Sequence, residues 1–184
     1  IWKQPIFRSI HVQIFIDTMA SVVWVAAILY VFVFEVLQTS EAWWGYINTA
    51  FFIGLLLGGT VCSIFARQIE KRLRHMLIVS SFAVSIITFL FGFNSISVAA
   101  LLFAILHGFS QQIKGIAVDT YLQKEASPKD LPVIYSAQSA LASLVFGLAS
   151  LLFGWIAEVY SVIVAFGLSG ILLTIAALYI VFVK

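Results

Sequence analysis

Apolar residues run along this chain in long blocks, broken at intervals by short clusters of charge. A crossing helix needs roughly 20 consecutive apolar residues to span about 30 Å of hydrocarbon, and the charge clusters leave room for six. Span one runs from about His11 to Phe34 and span two from about Trp43 to Phe65. Met76 to Ile113 holds no Asp, Glu, Lys or Arg, enough for two crossings, and the turn sequence Gly92-Phe93-Asn94-Ser95 divides them. Span three is therefore Met76 to Phe93, and span four Val98 to about Tyr121. Span five runs from Pro132, acceptable in a helix's first turn, to Ala157, and span six from Val162 to Val183. Helices are the expected element, because lipid offers the backbone no hydrogen-bond partner; a β-barrel would show short alternating segments. The pattern predicts one all-α transmembrane domain, a six-helix bundle covering residues 1–184.

Composition agrees. The 184 residues are 62% hydrophobic and 10% charged, with a mean hydropathy of +1.10. A soluble domain needs a polar coat that this chain cannot supply. The first apolar block is too long for a secretory signal and carries Asp17. The chain starts at Ile1, which reads as a piece of a longer polypeptide. Cys62, the one cysteine, falls in an apolar stretch and reads as a small packing residue.

Charge gives an orientation. Lys3 and Arg8 precede span one; Arg67, Lys71, Arg72 and Arg74 lie between spans two and three; Lys124 and Lys129 lie between four and five; Lys184 follows six. The opposite loops carry Glu35, Glu41 and Glu158 and no base. Basic residues favour the cytoplasmic side, so both termini are expected in the cytoplasm, in a multi-pass protein of the cell membrane. Trp43, Trp44, Trp155 and Tyr160 fall where interfacial anchors belong.

Polar residues are unevenly shared. Spans three and six carry only hydroxyls: Ser80, Ser81, Ser85 and Thr88 in one, Ser169, Thr174 and Tyr179 in the other. They are the candidates for lipid-facing supports. Spans one, two, four and five carry Gln13, Asp17, Asn48, His107, Gln111, Gln112, Lys114 and Gln138, and strongly polar groups in a membrane face a protein interior or a water-filled cavity. Asp17 and Lys114 both lie roughly 8 Å to the cytoplasmic side of their spans' middles at 1.5 Å per residue. Either alone would cost about 3 kcal/mol or more in lipid, so an ion pair is expected. Its readings stay open between a proton- or substrate-linked switch, a static pair, and Lys114 snorkelling to the interface. His107, Gln111 and Lys114 share one helical face, as do Gln13, Asp17, Ser21 and Trp24. Gln13, Trp24, His107, Gln111 and Gln138 are the candidate cavity residues. His107 reads more readily as a hydrogen-bonded packing residue than as a titrating one, and Trp24 more readily as packing than as a ligand platform. Gly54-x3-Gly58 and the repeat Ser139, Ser143, Gly147 offer faces for close helix approach.

With these positions, the chain resembles the C-terminal half of a major facilitator superfamily transporter, and looks closest to the macrolide-efflux-like and multidrug exporters. The stretch GTVCSIFARQIEKRLRHMLI, ending at Ile78, occupies the place of the family's basic loop between the second and third helices of a half. Leu122 to Ser136, LQKEASPKDLPVIYS, looks like the segment between the fourth and fifth. The resemblance implies twelve helices in two halves, each half made of two inverted three-helix repeats, with the first, second, fourth and fifth helices of a half lining a cavity. It also implies proton-driven antiport: efflux of drugs or other amphipathic small molecules, hence multidrug resistance. The partners expected are the bilayer, a small-molecule substrate, protons, and a second half, from the same polypeptide or another copy of this chain.

Other classes are weaker. Gly167-Leu168-Ser169-Gly170 with His107 matches an intramembrane protease pattern, but serine and histidine come in the wrong order. A non-transporting membrane module would need neither Asp17 nor Lys114. No histidine or cysteine cluster suggests a metal, and no glycine loop suggests ATP; neither an enzyme, a cofactor nor a nucleic-acid partner is expected.

Overall fold

The structure is a computed structural model that describes residues 5–24 and 26–182, with side chains described for 11–24 and 27–182. Lys3, Val183 and Lys184, and the side chain of Arg8, named above, lie outside the described residues. The described chain is helical almost throughout: α1 (Pro5–Ala20), a 3-10 turn (Ser21–Trp24), α2 (Ala26–Glu35), α3 (Ala42–Ile64), α4 (Ala66–Lys71), α5 (Leu73–Gly92), α6 (Ser97–Glu125), α7 (Leu131–Val159) and α8 (Val162–Phe182). Five of these are long and apolar enough to cross a membrane, and α1 with α2 makes a sixth, broken span.

The break is the main departure from the expected continuous span one. The pieces on either side of it are bent by 43°. Ser21-Val22-Val23-Trp24 begins with a helix-competing serine and two β-branched residues, a run with little local preference for α over the tighter 3-10 register. What fills the bend is aromatic. Phe32, Phe91 and Phe166 meet with ring centroids 4.8–5.3 Å apart, and Trp24 adds to them at 4.4 Å from Phe91.

Neighbouring helices follow a repeat. Span two (α3) packs on span four (α6), and span one (α1) on span five (α7); span three (α5) packs on four, and six (α8) on one; three and six pack on each other. Exchanging spans one, two and three with four, five and six maps these five contacts onto themselves, as two three-helix repeats would, while the contact of span five with six has no comparable counterpart between two and three. Three crossings per repeat put the second upside down relative to the first.

Within this bundle, spans three and six are the most enclosed of the five unbroken spans, and their serines and threonines are hydrogen-bonded. Their apolar residues Val79, Ile86, Leu90, Ile171 and Ile175 face outward, while the hydroxyls point in. Ser85 Oγ lies 2.7 Å from Thr174 Oγ1 and donates to the Gly170 carbonyl at 3.1 Å. The pair also interlocks through glycines: Phe166 lies where a Cβ on Gly92 would go, and Phe89 where one on Gly170 would go. A hydroxyl satisfied inside the bundle costs little, and so reads as apolar in a hydropathy pattern. At the end holding the basic loop, Lys124 Nζ pairs with Glu70 at 2.9 Å and Arg74 donates to the Val181 carbonyl at 3.3 Å, tying α4 to α6 and α5 to α8.

Candidate functional site

Asp17 sits on α1 one helical turn before the break, and Lys114 on the middle of α6. Lys114 Nζ lies 2.6 Å from Asp17 Oδ2, with the lysine side chain 4% and the aspartate 15% exposed. The long lysine side chain carries the charge across between the two helices. At that distance, with so little water, the bond is charge-assisted and strong, and neither ion would persist there without the other.

The pair forms part of the wall of a groove of about 430 Å³ between α1, α6 and α7. Thr18, Ser21, Gln111, Asp119 and Gln138 also line it, with apolar surface from Ile14, Val118 and Phe146. Asp17 Oδ1, Gln111 Oε1 and Gln138 Nε2 are buried and have no hydrogen-bond partner in the protein. Buried polar atoms are normally paired. Two acceptors and one donor are thus left unmatched on one groove.

The remaining candidates lie elsewhere. Gln13 is 1% exposed and donates to Ser81 at 3.4 Å. His107 is 2% exposed, stacked on Trp24 with centroids 3.9 Å apart, and its Nδ1 has no partner. Trp24 donates its indole N–H to Thr88 Oγ1 at 3.2 Å. These three belong to the bundle interior rather than the groove wall. Asn48 donates to the Trp44 carbonyl at 2.8 Å within its own helix. Asp119 also lines the groove; its place about two turns from Gln111 on the same helix is the signal in the sequence that puts it there. The serine and histidine of the protease pattern are otherwise engaged: Ser169 Oγ donates to the Ala20 carbonyl at 2.7 Å. Among the described residues, no cluster of three or more His, Cys, Asp or Glu is arranged to hold a metal.

The fold defines the class: a multi-pass helical membrane protein built as a bundle of five unbroken spans and one broken one. Two curated relatives carry this further. The chain is 27% identical over 179 residues to the uncharacterized MFS-type transporter YfmI of Bacillus subtilis (strain 168), covering 97% of this chain and 44% of that protein. It is 30% identical over 184 residues to the uncharacterized MFS-type transporter YjbB of the same organism, covering 98% of this chain and 44% of that protein. The chain thus spans a little under half the length of the curated relatives it matches, and the match supports the major facilitator superfamily. No family model matches the chain, and no solved structure does.

Proposed function

We propose that this chain is one six-helix half of a secondary transporter that works by alternating access, rocking against a second half around a central cavity. The observation that carries the reading is the Lys114–Asp17 pair at 2.6 Å, placed on the wall of a groove with unmatched polar atoms. Protonating Asp17 removes the charge that holds Lys114, and so shifts the balance of states to the extent that the two states hold the pair differently. Gln111 and Gln138 are the proposed polar contacts at the groove wall. Gln13, Trp24 and His107 are the deeper residues that a substrate reaches when α1 and α6 part.

The substrate class that fits is an amphipathic small molecule: the groove pairs amides and charges with Ile14, Val118 and Phe146. Proton-coupled efflux of drugs, in the manner of the macrolide-efflux-like and multidrug exporters, is the finer form of the proposal. With it goes an orientation in the cell membrane with both termini cytoplasmic, supported by the excess of Lys and Arg in the loops on one side. The second half belongs to the same polypeptide or to another copy of this chain.

The test is substrate-driven proton movement in inside-out vesicles carrying the intact protein, read with a fluorescent pH probe against a panel of macrolides and lipophilic cations. Wild type is expected to collapse the gradient with at least one compound, and Asp17→Asn to lose this while remaining folded in the membrane. Unchanged proton flux in Asp17→Asn would make the pair structural. No proton movement with any compound in wild type would remove the exporter reading.

A further inference from the structure

A second groove, of about 660 Å³, lies between α3 and α6. It runs along α3 from Phe52 to Ile64, about 18 Å at the helical rise per residue. Phe52, Leu55, Leu56 and Ile64 make its wall mostly apolar, with Thr60 and Gln112 among its polar groups. Phe52, Leu56 and Ile64 are more than half exposed, so the described bundle leaves this wall uncovered.

The two grooves share α6 as a wall. Gln111 lines the first and its neighbour Gln112 the second. One turn further on comes Gly115, three residues from Gln112 and four from Gln111, on the helix face between them. It lines the first groove, is exposed, and has open space where a Cβ would go. Glycine weakens a helix interior relative to alanine. Gly54, Gly58 and Gly108 are used for close backbone approach between α3 and α6, whereas no packing within the bundle uses Gly115. Its effect is a notch in the crest of α6, between a polar groove and an apolar one.

The charge lies on the polar side. Asp17 is matched by Lys114, whereas Asp119 has no ion-pair partner among the described residues. The first groove therefore carries one unmatched negative charge. Asp119 stands four residues beyond Gly115 and seven beyond Gln112, on the same helical face as the notch. A molecule with a cation at one end and a hydrocarbon chain at the other satisfies both grooves at once. A small hydrophilic cation fills only the first.

We propose that the α3–α6 groove is a tail subsite: the head of an amphipathic cation sits in the first groove near Asp119, and its hydrocarbon chain crosses α6 at Gly115 and lies along α3 toward Thr60 and Leu56. The inference rests on the proposed transport at the first groove for its substrate, and on the two grooves and Gly115 for its path.

The test is protection of a cysteine in the tail subsite. Thr60→Cys, at an exposed position, is made in a Cys62→Ala background of the intact protein, reconstituted in lipid with a water-soluble maleimide on both sides of the membrane. Decyltrimethylammonium is expected to slow labelling severalfold, and tetramethylammonium, all head and no tail, to leave it unchanged. Across hexyl, octyl and decyl chains the half-protecting concentration should fall about twofold per methylene, the effect of half burying each. Gly115→Leu, which closes the notch, is expected to abolish protection. Asp119→Asn should raise the half-protecting concentration about fivefold, the worth of one partly exposed ion pair.

Three results would overturn the proposal. One is a Thr60→Cys that is not labelled even without ligand, because lipid or a helix of the second half fills the groove. Another is labelling that no chain length slows. The third is protection that persists undiminished in Gly115→Leu and Asp119→Asn, which would mean that the chain enters from lipid; Asp119→Asn decides alone if Gly115→Leu does not fold. Uptake of the decyl compound, measured beside the labelling, separates this inference from the transport reading. Protection without uptake keeps the subsite and removes transport, and uptake without protection does the reverse.

Discussion

Two seams occupy matching places in the two three-helix repeats, and they are built differently. The α3–α6 seam is closed backbone to backbone. A Cβ on Gly54 would collide with the Ile105 carbonyl, and one on Gly108 with the Phe51 carbonyl, so glycine is required on both helices for the approach the chain makes there. The α1–α7 seam, its counterpart, is not closed this way. Gly147 and Gly154 on α7 have nothing near where a Cβ would go, Ser139 and Ser143 are exposed, and the space beside this seam is the groove that holds Asp17 and Gln138. The small residues of span two are used for packing in this structure, while those of span five are not. Packing faces that look alike in sequence are therefore told apart by what stands opposite them: glycine on α6 for the face of α3, and nothing within this bundle for Gly147 and Gly154 of α7.

The comparison can be broken most directly at its closed seam. Gly108→Leu drives a side chain into the Phe51 backbone and is expected to cost about 3 kcal/mol or more, seen as loss of folded protein from the membrane. Gly147→Leu, at its counterpart, is expected to keep wild-type levels. Equal losses in both would mean that the two seams are equally tight.

The next effect is at the ion pair. Lys114→Met leaves Asp17 without its partner, and is expected to lower stability by about 3 kcal/mol, the lower end for a broken buried pair because Asp17 borders the groove. Thermal unfolding in detergent measures it, and adding Asp17→Leu should recover most of the loss. Without that recovery, Lys114 would be holding something other than Asp17.

Smaller still is the closed α5–α8 side. Ser85→Ala removes the hydroxyl bonded to Gly170 and Thr174; about 1 kcal/mol is expected, with transport unchanged in vesicles. The smallest change in stability is expected at the groove. Gln111→Leu removes a buried oxygen that has no partner, so the melting transition should stay within about 0.5 kcal/mol of wild type, while uptake of the transported compound falls. A destabilisation as large as that of Ser85→Ala would show Gln111 to be bonded within the protein, and would close the groove as a binding surface.

Much of this architecture was legible before any coordinates. Apolar blocks of crossing length, separated by charge, are enough for an all-helical membrane bundle, because lipid leaves the backbone no alternative. The matched depth of Asp17 and Lys114 followed from rise per residue alone, and their pairing at 2.6 Å is the structure's version of that count. What could not be read was which hydroxyls face inward. Ser85, Ser169 and Thr88 look weakly polar in a hydropathy pattern, yet each bridges or accepts across helices. Nor could composition separate Gln13 and His107, sealed in the bundle, from Gln111 and Gln138 on the groove, since all four lie on apolar helices at similar spacing.

The sequence by itself determined the solvent and the element type, and set Asp17 and Lys114 at matched depth, because these depend on local composition and on helical rise. Only the tertiary structure decided that span one is broken, that a hydroxyl of α8 reaches its bend, and that only one of two small-residue faces is used for close approach within this bundle. Those depend on which side chain arrives from a distant part of the chain: the Ser169 hydroxyl reaches Ala20 across 149 positions, and no local pattern carries that information.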